Sequence, residues 1–373
     1  MTSDHTSLFD RRVSLAGRVL VGRYKLDRHL ADGGMGAIWT AQDLTHHMPV
    51  AVKLMSVEGA MRADLRARFE QEAKAVALLR HPHIVEVLDY GTDEDTPFIV
   101  MELLEGMDLL AATREHTSSW PLTEIAGLVI QVAQGLGAAH RAGLIHRDVK
   151  PANIFLARSD IHGEVVAKVI DFGIAKWSEN KEILTAANVA LGSPSYMSPE
   201  QIRGRQLDAR CDAWALAVVA FALVTGDMPF VGRNGPDIAK QVVLGNRRKI
   251  AAPIENARAL ERFFTRAFAT DPDQRYRSVE ELAGEFIRAA GAPSSLRTAA
   301  RAVAEARGDL PDAEPHEVSD DSTTNRLERP LPVKDPSSAQ RVAFDLAEDL
   351  EQTEIDDRLN PSGAAAGRTR SSG

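Results

Sequence analysis

The segment His146-Arg147-Asp148-Val149-Lys150-Pro151-Ala152-Asn153 gathers a carboxylate, an ammonium and an amide into one short stretch. Asp148 can accept a hydroxyl proton or orient a nucleophile. Lys150 can neutralise phosphoryl oxygens, and Asn153 offers a neutral oxygen to a hard cation. His, Arg, Asp, Lys and Asn at this fixed spacing arise by chance in roughly one chain of this length in ten thousand, taking about 5% usage per residue. Further on, the β-like run Ala167 to Ile170 ends in Asp171-Phe172-Gly173. A carboxylate at a strand end with glycine behind it suits a magnesium ligand, although a turn-forming Asp-x-Gly reads the same way in isolation.

Three features upstream complete the set. Ala31-Asp32-Gly33-Gly34-Met35-Gly36-Ala37-Ile38 lies between two β-like runs, where glycines let backbone amides approach phosphates. On its own this loop is equally a ligand-free hairpin turn, and it is no Walker-type loop because no Gly-Lys-Ser/Thr follows. Val50-Ala51-Val52-Lys53 puts a lysine in a short apolar strand. An ammonium facing the inside of a sheet needs an anion, whereas one at a strand end can be solvated. Glu72, between Phe69 and Val76 on the apolar face of a helical stretch, is the candidate partner; alone it also reads as a solvated helix-edge glutamate.

These residues need a scaffold. Short β-like runs at Arg23 to Leu30, Ala37 to Ala41, Val50 to Met55, Ile84 to Tyr90 and Phe98 to Glu102 surround one helical stretch from Arg62 to Arg80. That pattern predicts a small antiparallel sheet with one helix. From Leu122 onward, Leu122, Ile125, Val129, Val132, Leu136 and Ala139 recur every three or four residues, so the second half is mainly helical. The longest apolar run, Ala213 to Val224, falls short of the roughly twenty residues a membrane span needs and predicts a core helix buried all round.

At 373 residues, 44% hydrophobic and 26% charged, the chain has an ordinary globular composition. The single cysteine, Cys211, excludes an intrachain disulfide, and no His/Cys cluster has zinc-like spacing. A reducing cytoplasm is the expected compartment, with no secretory signal and no membrane span. The net charge of −9 is concentrated late: residues 301–373 hold sixteen acidic against nine basic residues, and no basic patch invites nucleic acid. The first 21 residues read as an extension. After about residue 289 the Ala, Ser, Pro and acidic composition reads as a tail that buries too little apolar surface to order itself. Val342 to Leu359 is the exception, an amphipathic pattern that can dock a partner.

Together the motifs resemble the protein kinase family, and more narrowly its bacterial, eukaryotic-like Ser/Thr branch. That branch has a Gly-Gly-Met-Gly loop and a Tyr-Met-Ser-Pro-Glu-Gln segment similar to Gly33 to Gly36 and Tyr196 to Gln201. The likeness covers residues 22–288. It implies an α+β two-lobed fold: an antiparallel N-lobe over residues 22–105 with one helix, and a mainly helical C-lobe over residues 106–288. It implies transfer of the γ-phosphoryl group of ATP, with Mg2+ (or Mn2+), to Ser/Thr hydroxyls of protein substrates, and a transient homodimer for autophosphorylation.

Residue by residue, the resemblance assigns Ala31, Asp32, Gly33, Gly34, Met35, Gly36, Ile38 and Ala51 to the nucleotide cover, and Lys53 to the phosphates with Glu72 as its ion-pair partner. Met101 is the gatekeeper ahead of hinge residues Glu102 and Leu104, and Asp108 reaches the ribose. Asp148 is the catalytic base, Lys150 steadies the transferred group, and Asn153 and Asp171 hold magnesium. Glu200 pairs with Arg275, and Asp212 braces the catalytic loop.

Two rival readings share parts of this pattern. A pseudokinase scaffold is opposed by the presence of Lys53, Asp148, Asn153 and Asp171; a small-molecule phosphotransferase of related fold is opposed by Lys150 and Ser198-Pro199-Glu200. The chain departs from the family at Ala31, where the first loop glycine usually sits and where added bulk is expected to stiffen the loop and weaken nucleotide binding modestly. It departs again at Ser193, where threonine is usual. Thr185, Ser193 and Ser195 are candidate phosphosites, with Thr185 leading, because Arg147 beside Asp148 is a cation that a phosphate would neutralise. Thr185→Ala is expected to lower activity; unchanged turnover, with no phosphate on Thr185 by mass spectrometry, is the contrary result.

Overall fold

The computed structural model describes residues 15–33, 36–115, 120–158, 165–172, 194–250 and 254–293. A six-stranded antiparallel sheet comes first, in the order β1-β2-β3-β4-β6-β5. Its strands are β1 (Val19–Leu20), β2 (Tyr24–Gly33), β3 (Gly36–Asp43), β4 (Met48–Met55), β5 (Val87–Asp93) and β6 (Thr96–Glu102). Alternation along β4 sends Val50, Val52 and Leu54 into a core with Leu26, Trp39 and Phe98, and leaves Ala51, Lys53 and Met55 on the opposite face. On that face a short helix α1 (Val57–Ala60) leads to α2 (Ala63–Ala77), which packs Phe69 and Ala73 against Met55 and Ile99.

The sheet begins at Val19, ahead of the boundary at residue 22 read from the sequence, because its two edges are tied by charge. Arg18 and the Val21 amide both reach Asp93, at 2.7 and 2.8 Å, while Arg23 and the Tyr24 hydroxyl converge on Asp89. Strand β5 starts at Val87, later than the apolar run from Ile84 predicts. Residues 83–85 bond across to the other lobe instead: Ile84 bridges Val169, and the Val85 amide donates to the Val169 carbonyl at 3.0 Å.

The second lobe is helical apart from a small sheet of β7 (Gly106–Asp108), β8 (Ile154–Arg158) and β9 (Val165–Val169). Its helices are α3 (Leu109–Glu115), α4 (Leu122–Arg141), α5 (Pro199–Ile202), α6 (Arg210–Thr225), α7 (Gly235–Leu244), α8 (Ala257–Ala267) and α9 (Val279–Ala290). Helix α6 is buried on every face, as its apolar run predicts, and ends at Gly226, whose φ of +74° suits the left-handed cap. Among the described residues, α4 is long and apolar enough to cross a membrane, but its hydrophobic window is two-thirds buried inside the lobe. Cys211 lies at the start of α6, 1% exposed, and burial pushes its thiol well above the ordinary range. It is therefore expected to resist a maleimide in the native chain and to react once urea unfolds it; labelling of the native chain would contradict this.

Candidate active site

The catalytic-loop residues follow α4 and are fixed from below. Asp212, 1% exposed at the start of α6, accepts the backbone amides of His146 and Arg147, each at 2.8 Å, and pairs with His140 at 2.7 Å. Burial alone would raise this carboxyl, yet the His140 contact and the amides hold it below the usual carboxylate range. Arg147 is thereby kept at φ +65°, a left-handed conformation that a non-glycine residue adopts at some cost. His146 is fully buried; its ring lies tilted against Phe172, centroids 4.8 Å apart, and its Nε2 lies 3.0 Å from the Ile170 carbonyl. The two motif segments are thus locked together through a histidine to which the sequence assigned no role.

The β8–β9 hairpin explains how residues so far apart in the chain converge. Asn153 closes a 3-10 turn immediately before β8, and Asp171 stands two residues beyond β9. Because Ile154 pairs with Val169, the Ile170 amide donates to the Asn153 carbonyl at 3.0 Å. The Asn153 side-chain nitrogen donates to the carbonyl and to the carboxylate of Asp148, at 2.8 and 3.0 Å. Its amide oxygen is left turned away from Asp148, available to a hard cation. Lys150 Nζ stands 3.2 Å from Asp148 Oδ2. Across the cleft Lys53, 14% exposed on the inner face of β4, is 2.7 Å from Asp171 Oδ1, and Asp171 takes φ +54°. Lys53, Asp148, Asn153 and Asp171 therefore form one contiguous set.

Glu72 lies on α2, but its side chain falls outside the described residues, as do Gly34, Met35, Thr185 and Ser193. Of the loop's other glycines, Gly33 pairs with Gly36 at the turn end of the β2–β3 hairpin. A Cβ on Gly36, whose φ is +155°, would collide with the Leu54 carbonyl oxygen. Asp32 and Ala31 lie in β2 opposite Ala37 and Ile38. Ala31 is not one of the non-glycine residues at positive φ, so its side chain costs the backbone no strain. Met101 opposes Ala51 across β4 and β6. Glu102 is clamped by Lys168 at 2.6 Å and by the Glu86 amide at 2.8 Å, just ahead of Leu104. Asp108 Oδ1 accepts the Ala111 amide at 2.8 Å and so caps α3. Ser195 sits half-buried in the 3-10 turn Pro194–Tyr196, beside Met197; Tyr196 and Met197 line a small recess with Asp148 and Lys150.

Beyond the recess, α5 is held by the pair the motifs predict. Glu200 and Arg275 make two parallel contacts of 2.8 Å, both buried, with the guanidinium 4.7 Å over the Trp214 ring. Burial would raise Glu200, but Arg275 outweighs it and holds the carboxyl below its ordinary range. Arg147 presents the opposite case: its Nε is buried and finds no hydrogen-bond partner among the described residues.

A glycine-hairpin sheet packed on a helical lobe, with this set where the two meet, defines a protein kinase domain. The family model described as "Protein kinase domain" matches residues 24–287, and the chain belongs to that family. Its relatives are bacterial Ser/Thr kinases, which places it in the eukaryotic-like bacterial branch. Pkn1 of Myxococcus xanthus is 38% identical over 270 residues, covering 70% of this chain and 37% of that protein. PknF of Mycobacterium tuberculosis H37Rv is 35% identical over 278 residues, covering 74% and 58%. A crystal structure of the M. tuberculosis PknI kinase domain, a double mutant, is 31% identical, covers 74% of this chain and 98% of that one, and superposes with a TM-score of 0.58. The chain thus spans between about a third and three-fifths of the length of these curated relatives.

Proposed function

We propose that this chain transfers the γ-phosphoryl group of ATP to Ser or Thr hydroxyls of protein substrates. The observation that carries the reading is the convergence of Lys53, Asp148, Asn153 and Asp171, delivered by three separate elements to one place between the two lobes. Lys53 would lie along the nucleotide's phosphates, with Glu72 on α2 as a second anchor. Met101, Glu102 and Leu104 would form the adenine edge. Asp108 would reach the ribose with the oxygen that does not cap α3. Asp148 would take the acceptor hydroxyl's proton and hold its oxygen in line. Lys150 would stand beside Asp148 against the transferring oxygens.

The donor set fits a hard divalent cation: the Asp171 carboxylate and the Asn153 amide oxygen would hold Mg2+, with Mn2+ as an alternative, and when bound it would neutralise charge on the triphosphate. The Arg147 Nε, without a partner among the described residues, supports control by phosphorylation of the activation segment, with Thr185 the leading site. A cytoplasmic location is consistent with the single buried thiol. The acidic tail is offered as a docking segment, and a transient homodimer as the route to autophosphorylation.

The test offers magnesium and ATP with three acceptors: a Ser/Thr-containing protein, the same protein with only tyrosine hydroxyls, and a small polyol. Phosphate is expected on the first alone; label on the polyol instead would overturn the reading.

A further inference from the structure

We infer that Gln201 is a positioning residue for Asp148, an inference that rests on the kinase reading. Gln201 is 2% exposed on the four-residue helix α5, and its amide spans two elements. Its Oε1 accepts the Ser198 amide at 2.9 Å, completing a reciprocal cap with the Ser198 hydroxyl. Its Nε2 donates at 2.9 Å to the carbonyl of Arg147. That carbonyl belongs to the peptide plane whose amide is Asp148's own, and that amide donates to His146 Nδ1 at 3.2 Å. The preceding peptide amides are already held by Asp212. Gln201 is therefore what holds the carbonyl end of the plane that aims Asp148, at a residue kept at φ +65°. Asp212 and His146 supply acceptors; Gln201 supplies the donor. Helix α5 can bear this role because the buried Glu200–Arg275 pair anchors its neighbouring residue.

Loss of the donor would let the Arg147–Asp148 peptide rotate out of its strained conformation, and the carboxylate would swing with it. Nucleotide contacts lie on other elements and would be spared. Gln201→Met keeps length and apolar volume but cannot donate. In the full chain it is expected to lower kcat about tenfold or more, since a displacement near 1 Å can cost far more, with KM for ATP unchanged. Amide hydrogen exchange over residues 146–150 is expected to quicken. Ser198→Ala is the control: it removes half of the cap, lowers the melting temperature, and leaves the Gln201–Arg147 bond and kcat in place. Should Gln201→Met fail to fold, Gln201→Asn, one methylene too short to bridge both partners, gives the same readouts. Unchanged kcat and unchanged exchange in the Gln201 variant, or an equal kcat loss in Ser198→Ala, would overturn the assignment. Absent turnover in the wild-type chain would strike the kinase reading itself, and the exchange comparison would still decide Gln201's role.

Discussion

Asp148→Asn is expected to lower kcat for phosphoryl transfer by about 10²–10⁴-fold, the range over which a positioned proton acceptor acts. Asparagine preserves the shape and can still accept from the Asn153 side chain, now at 3.0 Å from Asp148. It cannot take a proton, and it gives up the 3.2 Å ion pair with Lys150. The nucleotide contacts run through Lys53 and Asp171 on other elements, so affinity for ATP, measured by calorimetry, should stay close to wild type. Turnover that survives the substitution would remove Asp148 from the chemistry.

Arg275→Ala is expected to destabilise the fold by about 3–5 kcal/mol at neutral pH, the cost of stranding a buried charge. Both partners are buried, and the guanidinium also donates to the carbonyls of Ala269 and Thr270 and covers Trp214. The pH dependence follows from Glu200, whose folded-state carboxyl lies below its ordinary range. A depressed carboxyl contributes stability above its unfolded pKa, about 4.3 for glutamate, and loses it as pH falls through the lower folded value. The gap between wild type and variant in urea unfolding should therefore be largest at neutral pH and narrow on acidification, first as the stranded Glu200 of the variant, raised by burial, takes up a proton and then, below about pH 4, as the wild-type pair is lost. A gap that is small at pH 7, or that grows on acidification, would show that the pair carries little of the fold.

The site was legible in the sequence where its chemistry is carried by contiguous residues. Asp148, Lys150 and Asn153 share one loop, Lys53 sits in a strand with clear alternation, and Glu200 and Arg275 meet as the family resemblance implies. The apolar run from Ala213 predicted α6 because a helix without a polar face has only the core to occupy. What stayed hidden is long-range and polar. His140 reaches Asp212 over 72 residues and Arg18 reaches Asp93 over 75, and neither contact leaves a periodicity in its own segment. The apolar residues Ile84 and Val85 read as strand because they are buried, although their backbone partner lies in the other lobe. Gln201 did leave a signal, the Ser-x-x-Gln spacing of a capping box, but that spacing announces only the helix cap and not the bond to Arg147.

The most direct measurement of the central claim is the fate of the γ-phosphate when the full chain is given Mg2+ and labelled ATP with a general protein acceptor. Label is expected as phosphoserine or phosphothreonine on the acceptor or on the chain itself, and none from Asp148→Asn. Nucleotide bound by the wild-type chain with no phosphate passed to any protein hydroxyl would contradict it and leave a binding module in the shape of a kinase.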